Sequence, residues 1–398
     1  MLVAQLGARR HYLVPRALAE AGHLERFCTD LYFGHRPWLD SAIASVLGRR
    51  AASFEGRCHP NVPVALVSDF PFVPLLRLAT PGSATARWMH DGRRFGESVV
   101  RSGLGGANAV MAFSSAALEI FQAARTKRIA TVLDHATAPR DREMAIVADE
   151  ERRFPGWSES PVRQDLTLRR YSQRQAEERD LADRIICGSR FVADLLRDEG
   201  VDQSKIRVVP LGMSTPRAGV KRKRKKQGEP LHVLFVGNEG LRKGLSYLLE
   251  AVKSLGSSAV RLRIAGNPGF TREGMARVLQ VCEECRPVPR AEIQSWYGWA
   301  DVLVLPTLSD TFGLVILEAM SAGVPVITTH ASGGPDVIRD GIDGWLVPLR
   351  DSTAIAHRLD TLLRASDLAI NMGRAAQERA AQFDSIAYRR RLLEAITS

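Results

Sequence analysis

Ser309-Asp310-Thr311-Phe312-Gly313-Leu314-Val315-Ile316-Leu317-Glu318-Ala319-Met320 is the stretch on which the fold turns. Before it lies an apolar run, Asp301-Val302-Leu303-Val304-Leu305-Pro306, which reads as a buried strand stopped by proline. After the glycine the period becomes helical: Leu314, Leu317 and Met320 share one face, and Gly323 and Pro325 end the run. A carboxylate, Asp310, therefore precedes a glycine-containing turn, and a second, Glu318, is expected about two turns into the helix. The unpaired N–H groups of a helix start favour an anion, and a carboxylate within the helix can accept hydrogen bonds from a ribose diol. The expectation is a nucleotide-sugar site.

The same strand–turn–helix grammar recurs on either side. Leu231 to Val236 reads as a strand, and Gly237-Asn238-Glu239-Gly240-Leu241-Arg242-Lys243 as a loop into a helix with Leu245, Leu248, Leu249 and Val252 inward. That loop places Lys243, a point charge, and Arg242, a forked donor, where open α/β sheets bind ligands. It is not a P-loop, because no Gly-Lys-Ser/Thr triplet is present. Further strands are predicted at 261–265, 325–328 and 345–347, and helices near 351–364 and 366–381.

The N-terminal half shows the same alternation less evenly. Leu2 to Leu6 reads as a strand, and Gly7-Ala8-Arg9-Arg10-His11 as a turn into a helix carrying Leu13, Ala17 and Leu18. Arg9 and Arg10 there suit either a phosphate or a solvated helix start. Trp38 to Arg50 has the pattern of an amphipathic helix with a basic end, suited to the domain core or to a membrane surface. Ser68 to Pro81 holds three prolines and reads as loop or extended chain. Strands follow at 109–113, 129–133 (leading into Asp134-His135), 184–187 and 206–209. A helix is expected from Ser114-Ser115 through Ala124, and a long charged helix over Pro161 to Ala182.

Strands alternating with helices imply parallel sheets covered on both faces. The break is Pro216 to Pro230, with six consecutive cations at Lys221-Arg222-Lys223-Arg224-Lys225-Lys226. The expected organisation is a Rossmann-like domain over 1–212, a basic linker over 213–229, a second Rossmann-like domain over 230–384, and a C-terminal helix over 385–398 returning to the first domain. The basic run reads as a solvated linker, with attraction to acidic lipid as its main functional competitor.

At 398 residues, two domains are the default. Net charge of +11 favours acidic partners without choosing among nucleotides, phospholipid and nucleic acid. There is no run of 18 apolar residues, and the first residues lack a basic n-region, which points to the cytoplasm. Five scattered cysteines fit reduced thiols, and Cys282-x2-Cys285 is half a zinc site at most. No Asp-x-Asp pair exists to carry a divalent metal onto a diphosphate. No metal and no cofactor are therefore expected.

From about Asp180 to Asp351 the chain resembles glycosyltransferase family 4, retaining enzymes of the two-Rossmann GT-B architecture. The resemblance rests on Ala182-Asp183-Arg184-Ile185-Ile186-Cys187-Gly188-Ser189, Ile206 to Gly212, Arg242-Lys243-Gly244, Asp301 through Ile327, Gly333-Gly334-Pro335-Asp336 and Asp340-Gly341-x2-Gly344. It implies that Glu318 is the ribose anchor, the second glutamate of a Glu-x7-Glu motif. Asp310 falls at the first glutamate, facing the transferred sugar, and is one methylene shorter. Backbone N–H groups after Phe312, at Gly313 and Leu314, would hold the distal phosphate, with Lys243 on the diphosphate and Gly237 in the loop beneath it. His135 resembles a histidine that faces the donor sugar across the cleft. Asn238 stands where the family frequently has arginine, so Arg242 is the candidate to supply that charge.

The implied activity is transfer of a sugar from a nucleotide-diphosphate sugar, as substrate, to a hydroxyl on a carbohydrate or lipid-linked acceptor in polysaccharide or glycolipid biosynthesis. Peripheral contact with an anionic membrane is a further expectation, and nucleic acid is not an expected partner. Two alternatives stay open: another GT-B enzyme, a sugar-nucleotide epimerase or phosphorylase, and a non-enzymatic nucleic-acid module using residues 221–226.

Overall fold

The computed structural model describes residues 1–36, 57–78, 82–159, 161–162, 165–213, 228–256, 258–365 and 367–397. The amphipathic segment Trp38 to Arg50 and the six-cation run at 221–226 lie outside them.

Two sheets, every pairing parallel, organise the chain. The first has seven strands: β1 (Leu2–Gln5), β2 (Arg26–Thr29), β3 (Val67–Asp69), β4 (Ala109–Phe113), β5 (Ala130–His135), β6 (Arg184–Cys187) and β7 (Ile206–Val208). Their order is β3-β2-β1-β4-β5-β6-β7. The second has six: β8 (Leu231–Val236), β9 (Val260–Ala265), β10 (Cys282–Arg286), β11 (Val302–Leu305), β12 (Val326–Thr329) and β13 (Gly344–Val347), in the order β10-β9-β8-β11-β12-β13. The chain has the GT-B fold of two Rossmann-like domains.

The strand order of each sheet reverses once. In the first sheet the reversal falls between β1 and β4, which pair Leu2 with Val110 and Ala4 with Ala112. In the second it falls between β8 and β11, where Val302 lies beside Val233. Loops leaving the carboxyl ends of such strands diverge and open a crevice. In the second sheet those loops are 237–244 and 306–313, the two stretches that the sequence marks.

Apolar side chains on both faces explain the central strands. Val302, Leu303, Val304 and Leu305 are all fully buried, as a strand covered by helices on both sides requires. The edge strand β10, Cys-Glu-Glu-Cys-Arg, has no such pattern and was not expected. Its sequence fits an edge, where charged side chains discourage further pairing.

Three expectations need correction. The described part of Ser68 to Pro81 is not simply loop or extended chain: it ends strand β3 and continues into the helix Phe72–Leu78. Pro74 falls in that helix's first turn, where the missing N–H has no intrahelical partner to lose. The charged helix spans Leu166–Leu181, starting where Asp165 caps Leu168 N at 3.0 Å, five residues later than expected. A separate helix, Arg140–Arg153, precedes it. Third, the helix after β4 begins at Leu118, not at Ser114-Ser115, because Ser115 takes a left-handed conformation with φ 81°.

The helix Arg140–Arg153 belongs to the first domain by chain order but fastens onto the second. Glu150, fully buried, accepts from Tyr247 Oη at 2.7 Å and from Arg350 Nε at 2.7 Å. Trp157 packs edge-on against Phe270, with ring centroids 5.1 Å apart. Across the cleft, Ser189 Oγ donates to the Thr311 carbonyl at 2.5 Å and Thr311 Oγ1 to the Ala136 carbonyl at 3.1 Å. Arg190 pairs with Asp336 at 2.7 Å. The last helix, Ser385–Thr397, lies on the helix Leu13–Glu20, where Arg389 reaches Glu20 at 2.8 Å.

Candidate functional site

The loop after β8 is shaped by one glycine. Gly244 has φ 71°, and a Cβ there would lie 2.0 Å from the Pro306 carbonyl oxygen. Only a residue without a side chain lets the loop press against the end of β11. Leu308 N then donates to the Arg242 carbonyl at 2.9 Å, tying the two loops together. The result places Lys243 beside Asp310.

Lys243 Nζ donates to Asp310 Oδ2. Burial opposes the Asp310 charge, but Lys243 and Arg242 outweigh it and hold the carboxyl below the usual range. The Asp310 backbone is fixed as well, its N–H donating to Ala331 O at 2.9 Å. Two residues expected to serve different parts of a ligand are thus one ion pair in this structure.

The helix Leu314–Ser321 starts immediately after, with Gly313 in the left-handed region at φ 77°. Phe312 is buried beneath the turn. A Cβ on Gly333 would meet its ring at 2.4 Å, so the ring is locked against the Gly333-Gly334 bend. Glu318 lies about one turn into this short helix, not the two turns expected. Tyr297 Oη donates to its Oε2 at 2.8 Å, which fixes the carboxylate's orientation.

Asn238 and Arg242 line the same crevice with other duties. Asn238 Oδ1 accepts from Asn267 N at 2.7 Å and so anchors the turn after β9. Arg242 donates from Nε to Glu239 at 2.7 Å and from Nη1 to the Ser309 carbonyl at 2.5 Å, and lies 3.4 Å from Glu143 of the first domain. Burial would lower the pKa of Arg242, but Glu143 and Glu239 more than reverse that and raise it. Arg242 therefore reaches the crevice with its charge already matched, and braces the loop against Ser309 and the first domain.

A cavity of about 480 Å³ occupies the space between the domains. Its walls include Gly237, Lys243, Asp310, Gly313 and Leu314 from the second domain, with Arg10 and Ala136 from the first. The structure brings together the loop, the cation, the carboxylate and the helix start. Glu318 and His135 are not in its wall. His135 is fully buried, its Nδ1 donates to the Thr137 carbonyl at 2.7 Å, and burial drives its pKa down to about 3. It is neutral across the physiological range, one residue behind Ala136. Arg10 was readable in the sequence only as one of two arginines in a turn; its place in the wall follows from three-dimensional folding.

Among the described residues no group of three or more His, Cys, Asp or Glu side chains is placed to hold a metal. Cys282 and Cys285 lie on β10, and burial pushes the Cys282 thiol up to about 12. No helix among the described residues is long and apolar enough to cross a membrane.

Comparison with known proteins shows what these residues are similar to. Residues 230–365 match the family described as Glycosyl transferases group 1. The D-inositol 3-phosphate glycosyltransferase of Streptomyces scabiei is 33% identical over 226 residues, 51% of this chain and 51% of that protein. The putative colanic acid biosynthesis glycosyltransferase WcaL of Salmonella typhimurium is 32% identical over 215 residues, 50% of this chain and 53% of that one. The aligned part thus spans about half the length of these curated relatives. Among solved structures, the sucrose-phosphate synthase of Thermosynechococcus elongatus superposes over 100% of this chain and 98% of its own, with a TM-score of 0.70 at 19% identity. HepE of Anabaena, solved in complex with UDP-glucose, gives 0.65 at 16% identity over 100% and 99% of the two chains. Residues 230–365 are thus similar to the group 1 glycosyl transferases, and the chain as a whole shares the GT-B fold of these solved structures.

Proposed function

We propose that the chain transfers a sugar from a nucleoside-diphosphate donor to a hydroxyl acceptor, with retention at the anomeric carbon. One observation carries this reading: Lys243, Asp310 and the N-terminus of the helix Leu314–Ser321 converge on one interdomain cavity at the reversal point of the second sheet. A diphosphate suits the helix start and Lys243, because fixed donors stabilise the charge that grows on a departing phosphate. Glu318, oriented by Tyr297, suits a ribose one turn further along. Asp310 suits a sugar hydroxyl, which would compete with Lys243 for its oxygens.

Retention follows from same-face displacement. The acceptor oxygen approaches the anomeric carbon on the side of the leaving diphosphate, the C–O bond to phosphate breaks, and a phosphate oxygen takes the acceptor's proton. The first domain would hold the acceptor, a carbohydrate or lipid-linked hydroxyl. The name of WcaL, with its colanic acid biosynthesis, favours a polysaccharide product.

The test is a transfer assay with UDP-, GDP- and ADP-sugars, with proton NMR of the product's anomeric centre. Release of the nucleoside diphosphate with the donor's anomeric configuration kept in the product supports the proposal. An inverted product refutes retention, and a nucleotide sugar epimerised or phosphorolysed without transfer favours the other GT-B chemistries.

A further inference from the structure

The β1 loop holds a feature that the site just described does not use. Arg10, His11 and Tyr12 are consecutive non-glycine residues in the left-handed region, with φ of 52°, 50° and 58°. Each such residue is disfavoured by roughly 1–3 kcal/mol and persists only where its surroundings impose it. Here they do. Gln5 Nε2 donates to the carbonyls of Gly7 and Arg9 at 2.8 and 3.1 Å, and Gly7 N donates to Asp30 at 2.9 Å. The turn delivers the Arg10 side chain, only 9% exposed, into the wall of the cavity that also holds Lys243 and the helix start.

There Arg10 is held from behind. Its Nη1 donates to both oxygens of Asp134, at 3.0 and 2.9 Å, at the end of β5. Its Nη2 is buried and makes no well-formed hydrogen bond among the described residues, with the buried Tyr388 hydroxyl its nearby polar neighbour. A buried guanidinium donor without a partner is unfavourable by about 1–3 kcal/mol unless something completes it. The second domain's own cations are differently placed: Lys243 is on Asp310, and Arg242 on Glu239 and the Ser309 carbonyl. Position 238, on the same wall, carries an amide whose oxygen is committed to Asn267.

We infer that Arg10 binds the donor's diphosphate from the first domain, supplying across the cleft the cation that Asn238 does not supply from the second. This rests on the donor-site reading above. Nη2 is the donor that reaches the phosphate oxygens, while Asp134 holds Nη1 from behind and opposes the anion with its own charge. A planar fork suits this better than an ammonium, since two N–H groups can meet two phosphate oxygens. One consequence is that leaving-group stabilisation depends on domain closure, because Arg10 and Lys243 lie on opposite walls.

Calorimetric titration of UDP, GDP and ADP, each beside its nucleoside, tests this on the full chain and on Arg10→Gln, Asp134→Asn and the double variant. Loss of one charge-assisted contact predicts diphosphate binding weakened by about tenfold or more in Arg10→Gln, with nucleoside binding unchanged. Asp134→Asn, which removes a competing carboxylate, is expected to bind the diphosphate no more weakly than wild type. Equal weakening in both single variants would show Arg10 and Asp134 to be a structural pair and overturn the inference. So would affinity within about twofold of wild type in Arg10→Gln. If that variant does not fold, the double variant, which removes both members of the Arg10–Asp134 pair, is read by the same criterion. Unchanged UDP affinity with lost binding of inorganic phosphate to the UDP-saturated protein would place Arg10 on a phosphorylated acceptor, also against the inference. A wild type that binds none of the three diphosphates refutes the donor site itself, whereas loss in Lys243→Ala without loss in Arg10→Gln refutes this inference alone.

Discussion

Replacing Asp310 with asparagine should separate binding from transfer, with opposite signs. In this structure Lys243 is matched by Asp310, and both side chains are mostly buried, at 13% and 14% exposed. A diphosphate entering the cavity meets Lys243 and, close behind it, a carboxylate of its own sign. One negative charge roughly 6 Å from a phosphate opposes it by about 3 kcal/mol at an effective dielectric of ~20. Screening in a cavity open to solvent halves this to ~1.5 kcal/mol, about tenfold in affinity. Asp310→Asn should therefore tighten the cognate nucleoside diphosphate by about that factor, as measured by calorimetry over UDP, GDP and ADP. Transfer should fall by ~10²-fold, because the carboxylate that orients the sugar is gone. Folding should survive, since asparagine keeps the shape and Lys243 can turn to solvent. A folded variant that binds the diphosphate as poorly as Lys243→Ala does would refute the reasoning: Asp310 would then be a scaffold for Lys243, not an opposing charge.

Other substitutions read other parts of the account. Gly244→Ala should fail to fold or lose several kcal/mol in a thermal melt, because its Cβ meets the Pro306 carbonyl at 2.0 Å on a backbone that alanine disfavours. His135 is buried neutral with its pKa lowered to about 3, so the unfolded chain takes up the proton first. Its contribution to stability is complete above ~6.5 and is lost as pH falls toward 3, by about 2 kcal/mol between pH 6.5 and 5. His135→Asn should flatten that part of the stability–pH curve in denaturant titrations. Asp310 behaves in the opposite range: its lowered pKa gives stability above the unfolded carboxyl value that is lost only as pH drops below ~4. Glu150→Ala removes a buried acceptor from Tyr247 and Arg350, and should loosen the two domains, raising the radius of gyration in solution scattering.

The second domain was legible because its central strands are apolar runs. Leu231–Val236 and Val302–Leu305 could only be buried, and the residues that follow each had to be loops at one edge. Strand β10 was hidden because an edge strand needs no apolar face, and the helix Arg140–Arg153 because it is mostly charged and ties its buried acid to the other domain through ionic contacts. The cation and carboxylates of the site were legible as residue types. Their pairing was not: Lys243 and Asp310 are 67 positions apart, and only the close approach allowed at Gly244 joins them. Arg10 was harder still. Left-handed backbone in three successive non-glycine residues is imposed by tertiary contacts, so local sequence carries no sign of it.

The crevice formed by loops 237–244 and 306–313 is proposed to bind a nucleoside-diphosphate sugar. Calorimetric titration of UDP-, GDP- and ADP-sugars into wild type, Lys243→Ala and Glu318→Ala tests it most directly. One bound donor per chain is expected in wild type, with binding abolished or weakened by about a hundredfold in both folded variants. A donor that binds both variants as tightly as wild type would contradict it.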